Sequence, residues 1–263
     1  MPWQVQHIHL EGPGRAASST PRTCGLITKK AIMRIMATIN LSPDELLTTT
    51  RAVRKRLDLD REVPLELVTE CVEIARQAPT GSNSQGWHFI LVDDAEKRAG
   101  LADLYRQGWD RYLNAPGSLP DTISTHSENA GKEAKHNEQM KRVLSSAQYL
   151  ADNLERVPML MVPCMKGRND QMTGPYANAV YAATYGSIIP ATWNYMLAAR
   201  VRGLGTAWTS AHLIYEQDAA ELLGIPYAEF TQVALIPTAY YKGESFSPAL
   251  RRPIAEVLHH NSW

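Results

Sequence analysis

The stretch Ala78-Pro-Thr-Gly-Ser-Asn-Ser-Gln-Gly-Trp-His-Phe89 concentrates the residues of this chain best suited to holding a ligand. Pro79 stops the helical pattern before it, since proline lacks an N–H and biases its predecessor away from helical angles. Thr80, Gly81, Ser82 and Asn83 follow as a run of small residues. No bulky side chain then keeps backbone N–H groups from a flat or anionic ligand. A plain surface turn is the competing reading. Two arginine-rich segments lie far from it in sequence. Thr50-Arg51-Ala52-Val53-Arg54-Lys55-Arg56 places guanidinium forks three residues apart, and Arg251-Arg252-Pro253 lies near the C-terminus. Paired guanidinium hydrogen bonds suit a dianionic phosphate. Alone, the first run reads equally as a solvated helix end.

A further segment, Gly203-Leu-Gly-Thr-Ala-Trp-Thr-Ser210, begins like a dinucleotide fingerprint. The third glycine is missing and the order is helix to strand, the reverse of that motif. Taken together, Thr-Arg-Ala-Val-Arg, the 78–89 stretch, Gly-Leu-Gly-Thr-Ala-Trp and Arg-Arg-Pro resemble, in order and spacing, the FMN-dependent nitroreductase family. The resemblance runs from about Met36 to Trp263. It implies an α+β fold with a mixed, mainly antiparallel sheet flanked by helices, in an intertwined homodimer with FMN at the interface. It implies that Arg51 and Arg54 hold the cofactor phosphate, joined by Arg251. At Ala52, the family commonly has a hydroxyl that is missing here. The loop Pro79, Thr80, Gly81 and Ser82, through its backbone N–H groups, and Trp208, Thr209 and Ser210 would lie along the flavin ring, and the Asn83 amide would either bond the ring or fix the loop. It further implies an enzyme passing hydride from NADPH or NADH to a small-molecule acceptor, such as a nitroaromatic or quinone, by a ping-pong mechanism. A flavin store or sensor with little turnover is the alternative. The dehalogenating branch places Glu and, four residues on, Tyr in its lid; Glu138 and Arg142 here argue against it. The flavin-fragmenting branch tends to carry Asp where Ala52 stands.

Composition narrows the classes. Equal numbers of basic and acidic residues, 27 each, give no global pull toward nucleic acid or an anionic membrane. Residues 1–35 hold five of the basic and one of the acidic residues, which leaves the remainder net acidic. They lack an apolar secretory region. They read as a disordered extension preceding a start at Met33 or Met36, or as an Arg-containing targeting arm. Cys24, Cys71 and Cys164 are too few and scattered for a disulfide framework, so a reducing cytoplasm is expected, with Cys71 and Cys164 buried. His7 and His9 are too few for a metal site, and no nucleophile triad or metal-spaced Cys/His set stands out. None is needed where a flavin carries the chemistry.

The elements that must position these residues follow from local signals. Ser42-Pro43-Asp44-Glu45 opens a helix. A second helix spans Val63 to Gln77 and a strand Trp87 to Asp93; Asp93-Asp94 caps a helix from Ala95 to Tyr112. The polar segment 114–138 is a lid candidate. A helix over Gln139–Glu155 and a strand over Val157–Met165, with prolines near its ends, come next. Gln171 to Ala199 carries no charge. Its polar residues and Pro190 exclude a membrane span, and a helix buried in the core or a dimer interface is expected, kinked at Pro190. A short helix from Ile214 to Leu223 stops at Gly224, and a strand fills Phe230–Tyr240. The tail after Ser247 has no core pattern of its own. In the resembling family it wraps the partner subunit.

Overall fold

The computed structural model describes residues 38–118, 120 and 132–263, with side chains from 138 onward in the latter span. The 1–35 extension, with Cys24, His7 and His9, and residues 119 and 121–131 of the 114–138 lid segment lie outside these residues. At the first helix, α1 (Pro43–Thr49), the sequence signal is realised in full. Ser42 Oγ accepts from Glu45 N–H at 3.2 Å, and Glu45 Oε2 accepts from Ser42 N–H at 2.8 Å, a reciprocal cap. Helix α2 (Leu65–Ala75), strand β1 (Trp87–Val92) and helix α3 (Ala95–Leu113) follow as expected, the last capped by Asp94. Helix α4 (Lys132–Asn153) starts seven residues before the expected Gln139. The polar Lys132–Glu138 stretch gave no apolar period to find it by.

Strand β2 (Met159–Lys166) is the centre of the sheet and is buried along all but its last residue. It pairs antiparallel with β1 from Trp87↔Met165 to Val92↔Leu160. On its other side lie β5 (Ile236–Tyr240) and β4 (Phe230–Gln232), and β3 (Leu204–Thr206) pairs with β5. Phe230–Tyr240 is therefore two strands, a correction to the single one expected. Pro163 explains the break. It sits inside β2, also against expectation, with its carbonyl accepting from Val233 N–H at 2.9 Å. On that side β5 stops pairing at Met161 and β4 begins at Cys164, so the missing proline N–H falls where no ladder bond is made. The ladders are all antiparallel among the described residues. The only parallel pairing is the isolated bridge Ala52↔Thr206, beside which Val53 N–H donates to Thr206 O at 2.8 Å.

Alternation along β2 builds two cores. Leu160, Val162 and Cys164 pack with Leu101, Tyr105 and Trp109 of α3 and Leu150 of α4. Met159 and Met161 pack with Leu67, Val68 and Cys71 of α2 and with Tyr195 and Met196 of α5 (Ala177–Val201). Burial pushes both the Cys71 and the Cys164 thiol up to about 12, consistent with inert fillers. No helix among the described residues is long and apolar enough to cross a membrane. The uncharged span is the helix α5, with Pro190 inside it, and its C-terminal half is core. Its N-terminal half leaves Ala179, Ala182, Ala183, Gly186 and Ile189 exposed along one face, so burial on all sides is not met within one chain. Helix α6 (Glu216–Leu223) ends at Gly224, whose φ of 69° is the left-handed stop expected there. The tail is tied at its root: Phe246 stacks under Arg56 and Arg200, at 4.1 and 4.5 Å. Beyond it Leu250, Ile254, Val257, Leu258 and Trp263 are all exposed.

Candidate active site

The basic run leaves α1 in extended form and crosses the edge of the sheet at β3. There its arginines face α4. Arg54 Nη1 donates to Ser146 Oγ at 3.3 Å, and Lys55 Nζ donates to Ser145 Oγ at 2.7 Å. Arg51 Nη1 donates to Ser247 O at 3.1 Å, which ties the run to the root of the tail. Neither Arg51 nor Arg54 has a carboxylate partner among the described residues. Burial pulls the Arg54 guanidinium below its ordinary value, with neighbouring Tyr105 opposing. The same burial pushes the Tyr105 phenol up to about 12, so it stays a neutral hydroxyl. Among the described residues, Arg54 is thus a partly desolvated cation whose partner is a neutral hydroxyl.

Two cavities meet at Arg54. One, of 760 Å³, has Arg51, Ala52 and Arg54 on one wall, Glu138, Gln139, Arg142, Val143 and Ser146 of α4 on another, and Pro248 and Leu250 at its rim. The second, of 330 Å³, is walled by Tyr105, Trp109 and Tyr112 of α3 and by Trp208, Thr209, Ser210 and Ile214. It is largely aromatic, the lining a flat ring needs. The turn that carries Ser210 is held firmly. Thr209 N–H donates to Leu235 O at 3.1 Å, Leu235 N–H returns to Thr209 O at 2.8 Å, and Leu213 N–H donates to Ser210 O at 3.0 Å. Gly108 of α3 lies directly against the turn: a Cβ there would stand 2.0 Å from Ala211 O. Behind it His212 is fully buried, and desolvation holds its imidazole down at about 4. The Gln232 side chain beside it, itself with an unpartnered Oε1, pulls the other way.

Of the residues expected at the site, Arg51, Ala52, Arg54, Trp208, Thr209 and Ser210 come together in one protomer. Pro79 to Asn83 do not line either cavity of the same chain. Their loop packs instead on the exposed-faced half of α5, where Gly81 N–H donates to Ser187 Oγ at 3.0 Å. That N–H is thus engaged rather than free. Ser82, Asn83 and Gln85 all hold left-handed φ values, 53°, 52° and 48°. Three such residues in one short loop, none of them glycine, mark strain of the kind that collects at ligand-binding sites. Arg251 stands outside the groove that its neighbour Leu250 rims, with its guanidinium on the Leu250 carbonyl. The α3 aromatics were not found from sequence, and of the α4 wall only Glu138 and Arg142 were singled out, as a mismatch to one branch of the family. Tyr105, Trp109 and Tyr112 recur at helical spacing, which reads as an ordinary core stripe.

An antiparallel sheet covered by helices on both faces, with Arg54 opening onto an aromatic cavity at its edge, defines an α+β domain. The sequence model of the Nitroreductase family matches residues 47–240, and the chain belongs to that family. Its relatives include a 5,6-dimethylbenzimidazole synthase of Rhodospirillum rubrum, 26% identical over 187 residues, covering 71% of this chain and 77% of that protein. Among solved structures, an iodotyrosine deiodinase bound to FMN and 3-iodo-L-tyrosine superposes with a TM-score of 0.59 at 18% identity, covering 84% of this chain and 99% of that one. A Sphingopyxis FMN and NADPH-dependent nitroreductase gives 0.56 at 20% identity, covering 85% and 100%. The fold is that of these proteins.

Proposed function

We propose that this protein is an FMN-dependent oxidoreductase that takes electrons from NADPH or NADH and passes them to a small-molecule acceptor such as a nitroaromatic or quinone. The carrying observation is the pair Arg51 and Arg54, without carboxylate partners among the described residues, in a groove that meets the aromatic cavity at Arg54. The residues fit the cofactor: two guanidinium groups for a phosphate dianion, and aromatic walls with the Ser210 turn for a flat ring. When bound, FMN supplies hydride acceptance and donation at its N5. Everything else is the work of this chain. Arg51 and Arg54 hold the phosphate, and Arg251, which stands outside the groove of its own chain, would have to swing in from the tail to join them. Tyr105, kept neutral, and Trp208 wall the ring from water. One open face serves donor and acceptor in turn, which is ping-pong exchange.

The missing side of the site comes from a second copy in this reading. The exposed uncharged face of α5 and the exposed apolar tail are surfaces that a homodimer would cover. The strained Pro79–Asn83 loop lies on α5, so dimerisation through that helix would bring it to the partner's cavity. Such a protein works in the cytoplasm and needs neither nucleic acid nor membrane.

The test is an absorbance spectrum of the purified protein, repeated anaerobically with NADPH or NADH and then with a nitroaromatic or quinone. A bound flavin that bleaches and recovers is the expected result. Arg251→Ala should weaken FMN binding about tenfold, the value of one charge-assisted hydrogen bond. A flavin that neither nicotinamide bleaches would make the protein a flavin store or sensor. Failure to bind FMN at all would overturn the reading.

A further inference from the structure

Glu138, Arg142 and Ser146 stand four residues apart on α4 and line the same groove, so they form one row along its wall. The inner end of this row is occupied, because Ser146 Oγ accepts from Arg54. Arg142 lies one helical turn further out, about 6 Å along the axis. It is a third guanidinium in a groove whose other two suffice for one phosphate. Its partner is Glu138, at 3.5 Å, with 75% and 60% of the two side chains exposed. An exposed pair of this kind is weak and exchanges readily. It also shows that the Arg142 guanidinium, posed in this groove, accepts a carboxylate. With 760 Å³ beside a separate ring-sized cavity of 330 Å³, the groove has room for a second molecule next to a bound cofactor.

We propose that Arg142 is a specificity-determining residue that binds an anionic oxygen group, a carboxylate or a phosphate, on the donor or acceptor seated beside the cofactor. Glu138 is its placeholder, displaced when the anion arrives. The inference rests on the FMN-dependent reading above. It makes the preferred second ligand a flat molecule with a negative group at one end, and disfavours neutral quinones of the same size. Glu138 also repels such a ligand until Arg142 turns from it, so the two residues act with opposite signs.

The experiment uses FMN-loaded full-length protein and matched pairs of probes that differ in one anionic group. Binding of 4-nitrobenzoate and of methyl 4-nitrobenzoate is read from the flavin absorbance, without need of turnover. NADPH and NADH are compared by the concentration that half-bleaches the flavin. Arg142→Gln should weaken the charged member of a pair about fivefold, with the neutral member and FMN affinity unchanged. Glu138→Gln should tighten the same member about twofold. A shift confined to 4-nitrobenzoate places the anion on the acceptor, and one confined to NADPH places it on the donor; either supports the proposal. Equal shifts in both members, or none, would overturn it. So would loss of FMN from Arg142→Gln, which would put this guanidinium on the cofactor's own phosphate. Wild-type protein that takes up no FMN would instead refute the underlying functional reading.

Discussion

Gly108→Ala is the substitution that tests most directly how this site is held. In an exposed helix the change would favour folding by about 1 kcal/mol through helix propensity. Here the new Cβ would stand 2.0 Å from Ala211 O and 2.7 Å from Ala211 C, against an ordinary contact of 3.4 Å or more. The obstacle is backbone, so no rotamer change relieves it. Nor can the turn yield cheaply, because Thr209 and Leu235 exchange two hydrogen bonds just before it. Overpacking of this kind costs about 3 kcal/mol. The net is destabilisation by about 2 kcal/mol, or a fall in Tm of about 4 °C for a chain of this size. Gly100→Ala in the same helix is the control. Its Cβ meets Leu222 Cδ2 at 2.7 Å, the movable end of a side chain, so its effect should stay within about 1 kcal/mol. The assay is thermal unfolding followed by circular dichroism, with flavin content measured alongside. A Gly108→Ala protein with Tm at or above wild type would refute the argument that α3 and the 209–211 turn are fixed against each other.

Two other outcomes follow from buried polar groups. Glu216 accepts both terminal nitrogens of Arg168 at 2.9 Å, and their side chains are only 14% and 10% exposed. Glu216→Gln should cost about 3 kcal/mol in urea unfolding, since it strands a buried guanidinium; a loss below 1 kcal/mol would mean that Asp170 carries the pairing alone. His212 titrates near 4 when folded and near 6.5 when unfolded, so the unfolded chain takes up the extra proton between those values. Its contribution is complete above pH 6.5 and is lost as pH falls toward 4, with a slope of up to about 1.4 kcal/mol per pH unit. His212→Gln should flatten stability against pH in that window, and an unchanged slope would exclude His212 as its source.

What could be read from the sequence was what is decided locally. The Ser42 cap, the Asp94 cap and the Gly224 stop each depend on a few neighbouring residues, and each stands where its signal placed it. The arginine run and the Trp208–Ser210 strand end were legible because residue type alone suggested a ligand, and the family resemblance joined them. Tyr105 could not be found this way, and Arg142 stood out only as a mismatch to the dehalogenating branch's lid tyrosine, not as part of this groove. Their place at the site depends on how α3 and α4 pack against segments over 30 residues away, and an aromatic stripe or an Arg four residues from a Glu is ordinary on any helix. The split of Phe230–Tyr240 was hidden for the same reason, since the cause is Pro163 on another strand. Gly108 was the one overlooked hint: a glycine inside a regular helix asks what backbone comes close to it.

The bridge between Ala52 and Thr206, with Val53 N–H on Thr206 O, has a consequence for solubility. Strand β3 ends the sheet, and an open sheet edge is a template on which other chains can add strands. The basic segment crosses that edge and takes the Thr206 carbonyl, while Val53 fills the space over Gly205 so closely that a Cβ there would be 2.9 Å away. The residues between Arg51 and Arg54 therefore help guard this edge against edge-to-edge aggregation. Disturbing this segment would expose a sticky border, and precipitation of such variants would report that effect independently of any change in ligand binding.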